Sequence, residues 1–143
     1  MAVSAKLYAN VHKLIANKEI DLDSDTIKVM LCTASYTPNQ GTHQYKSSVT
    51  GEATGTGYTA GGATLANVTA TVTGNVFKFD ADDVSWPGST ITARYAVIYD
   101  STPGSDASRP LIGYVDFGAD VSTTSGAFQI VWNSSGIFTQ TVA

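Results

Sequence analysis

Apolar residues near the start of the chain fall at Leu7, Val11, Leu14 and Ile15, a spacing of four, seven and eight that makes one stripe on a helix. Val3 and Ala5 lie near the start of this stripe, while Lys6, Asn10, Lys13 and Asn17 point elsewhere. The pattern predicts a short amphipathic helix of about four turns, ending near Lys18. From Thr26 the period changes to two. Ile27, Val29 and Leu31 alternate with Lys28, Met30 and Cys32, as expected of a strand. "TPNQGTHQY" then reads as an irregular polar loop marked by Pro38 and Gly41.

Alternation returns in "ATLANVTATV", with Ala66, Val68, Ala70 and Val72 on one face and Leu65, Asn67, Thr69 and Thr71 on the other. Thr73 to Asn75 is a turn signal, and Val76 to Phe79 a second strand, which together predict a hairpin. In "STITARYAVIYD", Ile91, Ala93, Tyr95, Val97 and Tyr99 share one parity. "PLIGYVDFG", "GAFQIVWN" and "GIFTQTVA" read as further strands. "DADDVSWPGS", "STPGSDASRP" and "NSSG" lie between them and are rich in turn formers.

One helix and seven or eight short strands define a mainly β protein. The expected architecture is an antiparallel β-sandwich or jelly-roll-like domain with one short N-terminal amphipathic helix. Residues 1–20 are expected to form the helix and an arm, and residues 21–143 a single sandwich domain. Alternating βαβ units and internal repeats are not evident.

Composition narrows the function classes. The chain has 143 residues, 43% apolar but only 14% charged, against about a quarter in an average domain. A net charge of −4 and eight scattered basic residues argue against a nucleic-acid partner. They argue equally against a membrane surface, and no apolar run reaches the roughly 20 residues of a spanning helix. The first residues lack the apolar core of a secretion signal, so synthesis and residence in the cytoplasm are expected. With Cys32 as the single cysteine, no intrachain disulfide is available.

Candidate chemistry is sparse. "GTGYTAGG" satisfies a G-x-G-x-x-G/A spacing at Gly55, Gly57 and Ala60, with Asp80 where a ribose-binding acid would stand. That fingerprint works only when the loop opens a helix whose N–H groups meet a pyrophosphate. Here it leads into "ATLANVTATV", a strand pattern, so the glycines are expected to be structural and no cofactor is implied. "DLDSD" at Asp21, Asp23 and Asp25 opens like a Ca²⁺ loop, but Thr26 and Cys32 stand where Gly and Glu are needed. The acids of "DADD" (Asp80, Asp82 and Asp83) read as a turn, and no metal is expected. Cys32 with His43, or a pair of Asp carboxylates, is the material a small hydrolase would have, and nothing marks either as assembled. The expectation is a non-enzyme.

Among the aromatic residues, most fall on strand positions and suit a core. Tyr36, Tyr45 and Tyr58 lie in irregular segments and are the better interface candidates.

"KEIDLDSDTIKVMLCTASYTPNQGTHQY", "GTGYTAGGATL", "DADDVSWPGSTITARYAVIYD", "PLIGYVDFGAD" and "GIFTQTVA" resemble a group of small virion proteins of tailed bacteriophages, associated with capsid decoration, or cement, proteins. The resemblance runs from Lys6 to Ala143, with "TPGSDASRP" as a variable loop. It implies a structural protein on the capsid exterior, made in the host cytoplasm, often a homotrimer, that binds the major capsid protein and bridges neighbouring subunits. Leu7, Val11 and Leu14 of the helix, with Tyr36, Tyr45 and Tyr58, are the expected capsid or trimer contacts; the competing expectation is that the helix covers one open end of the sandwich. A different virion role, as a head-fibre or tail adhesin binding host glycans, is the alternative function.

Overall fold

The structure, a computed structural model, describes residues 3–142. The chain forms a β-sandwich of antiparallel sheets. Its larger layer is a five-stranded sheet in the order β1 (Ser4–Leu7), β8 (Leu111–Ser122), β7 (Thr92–Asp100), β2 (Ile27–Cys32) and β3 (Ala63–Thr64). The facing layer is built from two smaller sheets. One has the order β10 (Phe138–Thr141), β5 (Val76–Asp80), β4 (Thr69–Thr73), and the other pairs β6 (Val84–Ser89) with β9 (Gly126–Ile130).

The core between the layers follows the alternation of the strands. Ile27, Val29 and Leu31 of β2 point inward, with Ala96 and Ile98 of β7, to meet Phe79, Val84, Trp86, Phe128 and Ile130. The predicted hairpin is present, with Thr73 opposite Val76 across a two-residue turn in which Gly74 has φ 62°.

Four local expectations give way. The predicted four-turn helix is instead strand β1, paired with β8, followed by a six-residue helix, α1 (Val11–Ala16). Val3, Ala5 and Leu7 also fit a period of two, and pairing with β8 satisfies backbone groups that an isolated short helix leaves weakly held. Ser4–Leu7 therefore belong to the sheet rather than to an arm. Lys18, at φ 64°, closes the helix, with the Glu19 N–H donating to Leu14 O and the Lys18 N–H to Ile15 O.

The strand expected through Ala66 and Val68 is broken at Asn67, which takes a φ of 52° where the chain leaves one layer for the other. Asn67 Nδ2 donates to Asp82 Oδ2 at 2.6 Å and holds this crossover. "DVSWPGS", expected as a turn, contains β6; Pro87 and Gly88 fall in an irregularity between the paired residues Trp86 and Ser89, where a missing N–H does no harm. In β7 the register shifts between Ala93 and Tyr95, so the shared parity ends there. Ile91 and Ala93 join the inner core, whereas Tyr95, Val97 and Tyr99 face outward.

That outward face is covered too. Residues 33–62 fold over it as an irregular third layer, and Tyr8, Met30, Cys32, Tyr36, Val97, Tyr99, Leu111 and Tyr114 form a second buried cluster.

Candidate functional site

The segment from residue 33 to residue 62 holds Tyr36, His43, Tyr45, Tyr58 and the "GTGYTAGG" motif, and its backbone explains their placement. It leaves β2 and returns to it twice. Thr33 N–H donates to Gly51 O at 2.8 Å and Cys32 bridges to Glu52, closing the first loop at its base. Ala53 N–H donates to Leu31 O at 2.8 Å; the chain then swings away through residues 54–62 and rejoins β2 at Ala63, opposite Val29.

"GTGYTAGG" is this second excursion. Gly62 (φ 84°) crosses β2 so closely that a Cβ there would run into the Val29 carbonyl and the Met30 Cα. Gly57 (φ 81°) lies similarly against Ser89. These glycines allow close approach of two backbones, the structural role expected from the sequence.

Where the excursion leaves β2 unpaired, side chains complete the ladder. The Leu31 N–H donates to the Tyr58 hydroxyl at 3.0 Å, and that hydroxyl donates to Glu52 Oε2 at 2.7 Å. The same oxygen accepts the Gly61 N–H at 2.6 Å, while the Tyr99 hydroxyl donates to Gly61 O at 2.6 Å. Burial first, and then the bond to the Glu52 carboxylate, push the Tyr58 hydroxyl far above its ordinary pKa. Burial, with the nearby Glu52 charge, pushes Tyr99 up to about 12.

The first loop is fixed by a second chain of hydroxyls. Asn39 N–H donates to His43 Nδ1 at 3.3 Å, so this nitrogen is an acceptor. The Tyr36 hydroxyl then donates to it at 2.9 Å, and the Tyr8 hydroxyl donates to Tyr36 at 2.8 Å. Burial raises both tyrosines, Tyr36 to about 12. Cys32 lies beneath this network, wholly buried, its thiol pushed up to about 12 by burial and then by the Glu52 charge. A nucleophilic thiol requires the opposite shift and an exposed sulfur. His43 turns its Nδ1 to Tyr36 rather than to Cys32.

The acidic motifs are likewise engaged by backbone N–H groups. Asp21 Oδ1 accepts the Asp23 and Ser24 N–H groups at 3.0 and 3.2 Å, and Asp25 Oδ2 accepts the Asp21 N–H at 3.0 Å. Asp83 Oδ1 accepts the Trp132 N–H at 2.9 Å. Among the described residues, no three His, Cys, Asp or Glu side chains gather as a metal site.

The six candidate contact residues separate into two groups. Val11, Leu14 and Tyr36 are buried in the protein's own cores, so these three side chains do not face outward. Leu7, Tyr45 and Tyr58 are half-buried. The Tyr45 hydroxyl donates to Glu19 Oε1 at 2.8 Å. Both glutamates in the chain thus accept tyrosine hydroxyls. Their scarcity was the one sequence signal that could have drawn attention to Glu52.

Two concave surfaces remain outside these networks. A groove of about 390 Å³ runs beneath β1, with Val3, Ala5 and Leu7 on one wall and Ile130, Trp132 and Ile137 on the other. A cleft of about 610 Å³ lies between α1 and the β10–β5–β4 sheet, floored by Val11, Ile20, Phe77 and Phe138 and rimmed by His12, Lys18 and Gln140. His12 Nε2 and Gln140 Oε1 meet at 2.8 Å across it.

No protein-family model, curated protein or solved structure matches the chain. No helix among the described residues is long and apolar enough to cross a membrane.

Proposed function

We propose that the protein is a non-enzymatic structural component of a tailed-phage virion. In this reading it is a capsid decoration protein that binds the outside of the major capsid shell and bridges neighbouring subunits, as a homotrimer. The resemblance of its motifs to small phage virion proteins supports the reading, as does a weakly charged, mildly acidic composition suited to a surface away from packaged DNA. The structural observation that carries it is the groove beneath β1. Apolar side chains line it, and Val3 and Val131 stand 65% and 67% exposed at its mouth. Apolar residues gathered along an open edge suit a protein contact, and a stable one buries roughly 1,000 Å² or more.

On this reading Leu7 remains a contact residue, joined by Val3 and Val131. Val11, Leu14 and Tyr36 are buried and fall outside the contact set on this reading.

Cryo-electron microscopy of the virion tests the proposal. Density for this chain at three-fold or quasi-three-fold positions outside the shell is expected. A Val3→Asp, Val131→Asp double variant should keep its fold and lose particle binding. Density confined to the tail or a few vertices would replace the reading with an adhesin, and absence from the particle would end it.

A further inference from the structure

Asp100 closes β7 and has a relative exposure of 0%. Its backbone is fixed, with its N–H donating to Pro110 O at 2.9 Å and its Cα opposite Ile27 of β2. Oδ1 accepts the Thr102 N–H at 3.0 Å. Oδ2 is the one buried side-chain oxygen or nitrogen without a partner among the described residues. A buried carboxylate oxygen in that state is costly and calls for an explanation.

The strand register supplies one. Ser101 N–H and Oγ both donate to Thr26 O at 2.9 Å, and Thr26 N–H donates to Thr102 Oγ1 at 2.8 Å. These bonds draw the turn of residues 21–26 against the end of β7 and bring the half-exposed Asp25 carboxyl to Asp100. A proton on Asp100 converts Oδ2 from an acceptor lacking a donor into a donor, with the Asp25 carboxylate as its acceptor.

We propose that a proton held on Asp100 is donated to the Asp25 carboxyl, forming a clasp between the 21–26 turn and the end of β7 that weakens as the proton is lost. The surrounding charges leave this pair to itself. In the turn, Asp21 caps its own backbone and Asp23 is exposed; on β2, Lys28 stands opposite Tyr99. Asp106 of the 101–109 loop is paired with Arg109 at 3.0 Å and with Lys46 of the covering segment at 3.2 Å. Burial, followed by the bond to Asp25, raises the Asp100 carboxyl from 3.8 to about 7.

The sign of the effect follows. Between the ordinary Asp value of about 4 and this raised value, the folded state holds a proton that the unfolded state has released, so stability falls as pH rises across that window and levels off above it. A cation could bridge two carboxylates in the same place, and the test separates the two.

Urea unfolding is followed from pH 4.5 to 8 for the wild type and for Asp100→Asn, whose amide can donate to Asp25 without titrating. The wild-type unfolding constant should rise by up to about tenfold per pH unit in the window, a slope that Asp100→Asn removes. Equal slopes would overturn the proposal. So would a wild-type stabilisation by millimolar Ca²⁺ at pH 7.5 that Asp100→Asn abolishes, since a cation would then hold the pair. If the variant does not fold, ¹³C titration of the wild-type Asp100 carboxyl decides: a midpoint well above 4 is expected, and an ordinary value of about 4 sinks it.

Discussion

The two faces of the five-stranded sheet are buried by different means. The inner face meets two other sheets, and its contacts are Ile, Val, Leu and Phe side chains interdigitating at strand spacing. The outer face meets residues 33–62, which have almost no regular structure. Four of the eight buried residues there are tyrosines, and the hydroxyls of Tyr8, Tyr36 and Tyr99 carry bonds to other side chains or to the backbone. A sheet brings its backbone bonds already satisfied, whereas an irregular segment must find partners for each buried N–H and C=O. Tyrosine suits that need because it offers a large apolar body with a polar tip. The inner layer is therefore held mainly by area, and the outer layer by area together with a small set of specific bonds.

The contrast can be broken by substitution. Phe79→Ala opens a cavity in the inner core beside Phe138, whose ring centre lies 5.5 Å away. It should lower stability by about 3–5 kcal/mol in urea unfolding, the largest effect expected here. Tyr58→Phe keeps nearly all the volume but deprives the Leu31 N–H of its acceptor and Glu52 of a donor. A loss of about 1–3 kcal/mol is expected, with faster amide exchange at Leu31 than at Val29. No change in exchange at Leu31 would mean that the hydroxyl does not complete the ladder. Val72→Thr, on the β4–β5 hairpin at 69% exposure, lies outside both buried clusters and should shift stability by no more than about 0.5 kcal/mol. A larger loss would show the hairpin packed against something, such as a second copy.

The same contrast governs what could be read in the sequence. Ile27 to Cys32 and the Val76 to Phe79 strand were legible because their neighbours are other strands and period two reports the burial directly. Leu7 misled because it fits both a helical stripe and the Val3–Ala5–Leu7 alternation; only the partner strand β8, about a hundred residues away, decides between them. Pro87 hid β6 because an irregularity that tolerates proline is a property of the pairing with β9 and not of β6 alone. Nothing in "STITARYAVIYD" singles out Asp100, whose burial goes with the 21–26 turn arriving beside it. The irregular layer left no period at all. Its glycines could be recognised as structural, yet the Glu52–Tyr58 and Tyr8–Tyr36–His43 connections exist only once distant segments meet.

The pairing of β1 with β8 has a bearing on how the molecule comes into being. Ser4 faces Asp116 and Leu7 faces Gly113, so β1 lacks its partner until about a hundred further residues have been made. β2 likewise waits for β7. Such long loops must close before their contacts stabilise anything, which places folding of this topology on the millisecond-to-second scale rather than in microseconds. On the ribosome, β1 emerges well before β8 and takes its place at the sheet edge only after β8 has followed it.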